Sequence, residues 1–163
     1  MHTKPHGIWV STLFCITLVV AAAAWAAADS TSGTWKMNPE KSKYSPGPAP
    51  KSVTTVIESD ATHFKVDSHS VEADGTETHI SFDAQTDGKD YPVSGVANAD
   101  IVSVKHVDAR TTETTLKKDG KTVMTTHGVV SADGKTRTVT FNGTDPQGHK
   151  VHNVVVYDKE MAR

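Results

Sequence analysis

Asp133-Gly134-Lys135-Thr136-Arg137-Thr138-Val139-Thr140-Phe141-Asn142-Gly143, residues 133–143, reads as one strand held between two turns. From Arg137 to Phe141 the residues alternate. Val139 and Phe141 share one face and Thr138 and Thr140 the other, which is the period of a strand with a buried and a wet side. Asp133-Gly134 and Asn142-Gly143 suit the positive φ angles of tight hairpins. The same unit recurs along the chain: Asp74-Gly75, Asp87-Gly88 and Asp119-Gly120 supply further turns. Phe64 with Val66, and Ile80 with Phe82, repeat the alternation against His63, Lys65, His79 and Ser81. Runs rich in Val, Thr, Ile and Phe predict strands near residues 33–37, 52–58, 62–69, 76–83, 90–94, 100–106, 110–117, 121–130, 136–142 and 150–157. No window supports a long helix. A sheet wet on one face is antiparallel by preference, and one this long removes its edges by curling into a barrel or splitting in two. The expected fold is all-β, an antiparallel up-and-down meander of about 8–10 strands closing into a barrel. A flattened barrel or a two-sheet sandwich is the alternative.

The start of the chain departs from this pattern. Residues 1–28 place Lys4 before an apolar run from Ile8 to Val20 and an alanine-rich stretch ending Ala26-Ala27-Ala28, the layout of a cleavable signal peptide. Ile8 to Ala28 is long enough to cross a bilayer, but alanine is weakly apolar, so cleavage before Asp29 is expected rather than anchoring. That leaves one domain, residues 29–163, exported to the periplasm or outside the cell and not inserted in a membrane. Cys15, the single cysteine, leaves with the leader, which excludes a disulfide or a thiolate nucleophile. The 163 residues carry 17 basic and 19 acidic side chains, and loss of Lys4 takes the net charge to about −3. No basic patch for nucleic acid is expected. Histidines that outlast the leader can turn the surface cationic in acid.

Residues 38–51 read as a connector. Asn38-Pro39-Glu40-Lys41-Ser42 suits one helical turn with Asn38 as N-cap and Pro39 at the first helical position. In Tyr44-Ser45-Pro46-Gly47-Pro48-Ala49-Pro50 the prolines fix φ and lack amide donors, so an extended segment over one end of the sheet is expected.

Motifs that carry chemistry are missing. There is no Gly-x-Ser-x-Gly and no His-Glu-x-x-His. Acids such as Glu72, Asp74 and Glu77 surround a turn without the arrangement of a glycosidase pair. The stretch Asp83 to Asp90 begins like a calcium loop but has Ser94 where a bidentate glutamate is required, so a hairpin turn is expected. Asn142-Gly143-Thr144 matches a glycosylation acceptor, though Asn-Gly is first a turn signal. His149 and His152, three apart, point to opposite faces of a strand, while His63 and His69 share a face about 20 Å apart. No catalytic residue, metal or cofactor is therefore expected. Trp35, Tyr44, Phe64, Phe82, Tyr91, Phe141 and Tyr157 are the aromatics beyond the leader, too few to fill a barrel of ten strands. The interior candidates are Trp35, Phe64, Phe82, Tyr91, Phe141 and Tyr157, with water or a ligand in the remaining space.

Gly33-Thr34-Trp35-Lys36 resembles the Gly-x-Trp opening of the lipocalin and fatty-acid-binding-protein superfamily, and Val156-Tyr157-Asp158-Lys159 resembles the closing strand of its fatty-acid-binding branch. The resemblance implies an up-and-down barrel around a small apolar ligand, with Trp35 as a structural plug and Phe64, Phe82, Tyr91, Phe141 and Tyr157 as candidates for the ligand cavity. That branch holds a carboxylate with an Arg-x-Tyr pair. Tyr157 fits the tyrosine, but Val155 stands at the arginine position, which implies a neutral ligand rather than a fatty acid. The chain from Gly33 to Ser52, together with Asp87-Gly88-Lys89-Asp90-Tyr91-Pro92-Val93, also resembles a group of small exported bacterial proteins of no established activity. The expectation is a monomeric binding protein and not an enzyme. The alternative is an envelope or inhibitor protein that acts through its surface, with a protein partner the sequence does not identify.

Overall fold

The computed structural model describes residues 30–161, so the leader read over residues 1–28 lies outside the described residues. The strands, in chain order, are β1 (Gly33–Met37), β2 (Ser52–Ser59), β3 (His63–Val71), β4 (Glu77–Gln85), β5 (Tyr91–Ser94), β6 (Ile101–Asp108), β7 (Thr111–Lys118), β8 (Lys121–Val130), β9 (Thr136–Thr144) and β10 (Lys150–Lys159). Each pairs antiparallel with its sequence neighbours, and β1 pairs with β10 as well as β2, giving one closed barrel rather than a two-sheet sandwich. One end, here the floor, carries the β2–β3, β6–β7 and β8–β9 turns. The other, the mouth, carries residues 38–51 and the β3–β4, β5–β6, β7–β8 and β9–β10 loops.

Alternation sets the faces as the sequence implies. On β3, Phe64 and Val66 point inward and are buried while His63 and Lys65 are exposed, and on β9 Arg137 and Val139 are buried. The core runs from Trp35 and Met37 through Ile57, Phe64, Val66, Ala84, Val93, Val102, Val104, Val130, Val139 and Val155 to Tyr157. Each such aliphatic or aromatic side chain stabilises the fold by about 1.5–3 kcal/mol when fully buried. At the floor, the Trp35 indole N–H donates to the Thr31 carbonyl (2.8 Å) and the Lys159 ammonium lies 5.0 Å from the ring centroid. Gly33 makes that approach possible: its φ is +135° and a Cβ there would sit 2.5 Å from Lys159 Cε.

Two local expectations are corrected. Asn142-Gly143 is not a hairpin turn but part of β9, and the turn falls at Asp145–Gly148, where Gly148 has φ +86°. Gly143 has a different reason to be glycine. Leu116 pairs with Met124 and Lys117 with Thr122, so Val123 is an extra residue bulged out of β8, and a Cβ on Gly143 would lie 2.2 Å from its carbonyl oxygen. The second correction concerns the connector, whose residues 43–45 pair with β10; residues 39–41 form the single turn expected there. Asn38 still caps it, its Oδ1 accepting from the Lys41 amide (3.2 Å) while Ser42 Oγ donates to the Asn38 carbonyl (2.7 Å). The chain on either side of the turn is held to β10: Asn38 N donates to Val156 O and Lys43 N to Val154 O, and His152 N donates back to Ser45 O. The connector is thus partly a strand, because residues 43–45 resume the pairing with β10 that β1 begins.

Candidate binding site at the barrel mouth

Inside the barrel, burial differs between the two ends. At 0–2% exposure, Trp35, Ile57, Phe64, Val104, Val130 and Val155 are sealed from solvent, as is Val102, which pairs with Leu116 nearer the mouth. Towards the mouth, Val53, Ile80, Phe82, Leu116, Val123 and Phe141 pack on that core but stay partly accessible. Hydroxyls line the same region. Thr55 and Ser68, opposite each other on β2 and β3, are bonded at 2.8 Å; Ser70 accepts from Thr78 (2.6 Å) and donates to Glu72 (2.7 Å). The arrangement is an apolar wall with a few placed polar groups, the usual chemistry of a small-molecule site.

Two segments roof it. From the connector, Tyr44 donates its hydroxyl to the Met37 sulfur (3.0 Å), and from the β5–β6 loop Asn98 reaches over to β9, its amide donating to the Thr144 carbonyl (2.9 Å). Gly95 begins that loop with φ +82°, its α-carbon pressed against the His79 carbonyl.

Burial, with negative charge from Tyr157 and Glu72 on ionisation, pushes the Tyr44 phenol well above its ordinary range; burial pushes Tyr157 the same way, opposed by Arg137. A folded pKa above the unfolded value of about 10 confers stability that is complete below pH 10 and is lost as pH climbs towards the folded value. The tyrosinate absorbance of Tyr44 and Tyr157 is accordingly expected to appear together with alkaline unfolding, above pH 10. Ionisation of both at pH 10 in a folded barrel would contradict their burial.

The sequence candidates divide between the two ends. Trp35, Phe64 and Tyr157 are buried in the packed core, Phe82 stacks on Phe64 with centroids 6.1 Å apart, and Phe141 lies towards the mouth, paired with Asn153. Tyr91 is half-buried, with its hydroxyl turned out to Asp87 (3.3 Å). The list of interior candidates omits Val53, Ile80, Leu116, Val123, Tyr44 and Glu72, which form most of the accessible wall and its rim.

It also omits Arg137. The register of β9 and β10 sets Arg137 opposite Tyr157, and its buried guanidinium lies against Gly128, where a Cβ would come within 2.8 Å. The inward cation absent from position 155 is thus supplied by the neighbouring strand. It sits at the packed end, about 13 Å along β9 from Phe141.

On the outer face, His149 bonds Asp145 and His152 bonds Asn142, so these two do not converge. His63 pairs with Asp83 (2.9 Å), while Asp87 Oδ1 caps its own turn by accepting from the Lys89 amide. Comparison of the sequence with protein-family models and with curated proteins gives no match.

Proposed function

We propose that the chain is an exported, monomeric, lipocalin-like carrier that holds a small neutral apolar molecule in the mouth half of its barrel and acts by binding without chemistry. The observation that carries this reading is the contrast in burial within one interior. Six apolar side chains are left partly accessible behind Tyr44 and the β5–β6 loop, while the floor is sealed. The rim favours a neutral cargo over an anion, since the Glu72 carboxylate there already accepts from Ser70 and would repel a second negative charge. The signal-like layout of residues 1–28 supports export, and absence of catalytic motifs supports binding over turnover.

Native mass spectrometry of the protein isolated from its own host tests the reading. An adduct of a few hundred daltons that leaves on denaturation supports it. A bare polypeptide supports the surface-acting envelope or inhibitor protein instead. In solution, an environment-sensitive apolar dye is expected to bind, and Leu116→Asp to weaken it about tenfold or more, the worth of one apolar side chain in the wall. Dye affinity unchanged in a folded Leu116→Asp variant would place the dye outside the barrel.

A further inference from the structure

The outer face of β3 and β4 brings together groups unrelated to the barrel interior. His69 and His79 are direct cross-strand partners, their rings stacked with centroids 4.2 Å apart and planes 6° from parallel. Asp67, two residues before His69 on the same face, places one carboxylate oxygen 3.0 Å from His69 Nε2 and the other 2.9 Å from His79 Nε2. One ligand atom from each of the three lies within 4.8 Å of the other two, the only such group of three among the described residues. We propose that Asp67, His69 and His79 form a surface site for a borderline divalent cation of the Cu2+ or Zn2+ type.

Three features support the assignment. First, the donor set is right in kind, since neutral imidazole nitrogens with one carboxylate suit Zn2+ and Cu2+ rather than Mg2+ or Ca2+, which select oxygen. Second, the backbone presets it: a residue, its cross-strand partner and the residue two earlier project from one side of a paired ribbon, with Cβ separations of about 4.5–8 Å. Bonds of about 2.0–2.2 Å to one ion require donors roughly 3.3 Å apart, which small rotations of these side chains supply. Third, the surroundings leave the carboxylate to the imidazoles. Its register neighbours on the face are Val56 and Ser81, and Lys65 is engaged by Glu58 (3.2 Å).

Both histidines are exposed, so the remaining coordination positions of the ion open to solvent, for water or for a donor from another molecule. Ligation uses Nε2 of each ring, with the ring proton at Nδ1. Protons compete with the ion, so affinity falls on acidification.

The test is titration of the untagged protein, isolated from its own host, with ZnCl2 and with CuCl2 by calorimetry. One equivalent is expected to bind, Cu2+ more tightly than Zn2+, and His69→Gln or His79→Gln to weaken Zn2+ binding at least tenfold. The melting temperature of the metal-free variants should not change, because all three side chains project from the outer face. Paramagnetic broadening by Cu2+ in the unmutated protein gives a second reading, expected at β3 and β4 residues. No Zn2+ binding at millimolar metal, affinity unchanged in the double histidine variant, or broadening centred on other histidines would each overturn the assignment.

Discussion

Trp35→Ala is expected to lower the unfolding free energy by about 3–5 kcal/mol, a large part of the roughly 5–15 kcal/mol that holds a domain together. Trp35 is wholly buried, and three separate interactions end on it: the packing of the floor, the hydrogen bond to the Thr31 carbonyl and the Lys159 ammonium over its ring. Alanine leaves a cavity and a carbonyl without its donor, and each of these is destabilising. Trp35→Phe separates the two, since it restores most of the volume but not the donor; its expected cost is about 1–2 kcal/mol. Urea unfolding followed by far-ultraviolet circular dichroism measures both. A Trp35→Ala midpoint close to that of the unmutated protein would mean that the floor is dispensable.

Gly95→Ala is expected to cost about 3 kcal/mol without removing a single side-chain contact, the upper end of what local backbone strain confers. With φ at +82°, an added Cβ would lie 1.8 Å from the His79 carbonyl oxygen, and both groups are backbone, so no side chain can swing aside. The adjacent pairing is short, with Ser81 opposite Ser94 and Phe82 opposite Val93 as the whole β4–β5 register, and the β5–β6 register beside it is just as short. The strain should therefore open the barrel at this seam, and amide exchange of β5 should accelerate before that of β3 or β9. Gly120→Ala is the control. Its φ is +73° with nothing near the Cβ position, so only the conformational penalty of about 1–2 kcal/mol applies. Equal losses in the two variants would show that φ alone, and not the contact with β4, sets the cost.

The strands were legible because their signals are local. Alternation in 137–141 and the Asp-Gly pairs at 74–75, 87–88, 119–120 and 133–134 need no knowledge of the rest of the chain, and each lies where it was read. What failed depends on partners distant in sequence. Asn142-Gly143 has the composition of a turn, yet the carbonyl that excludes a side chain at Gly143 belongs to Val123. Residues 38–45 carry prolines that argue against a strand, and only the unpaired edge of β10 explains why Lys43 and Ser45 pair there. Parity with Val139 and Phe141 places Arg137 on the inner face, but the cation that faces Tyr157 lies on the neighbouring strand and only the β9–β10 register brings the two together. His69 and His79 lie ten residues apart across a turn, and whether they meet depends on a hairpin register that composition does not set. The accessible wall was only partly legible, since aromatics announce themselves while Val53, Ile80 and Leu116 look like any core residue.

The join between β1 and β10 also sets the order of assembly. Trp35 pairs with Lys159 and Met37 with Tyr157, so the first strand has no final neighbour until nearly the whole polypeptide is present. Until then the sheet is an open ribbon with two sticky margins, unable to seal its floor. A chain still emerging from the ribosome is kept unfinished by its own topology.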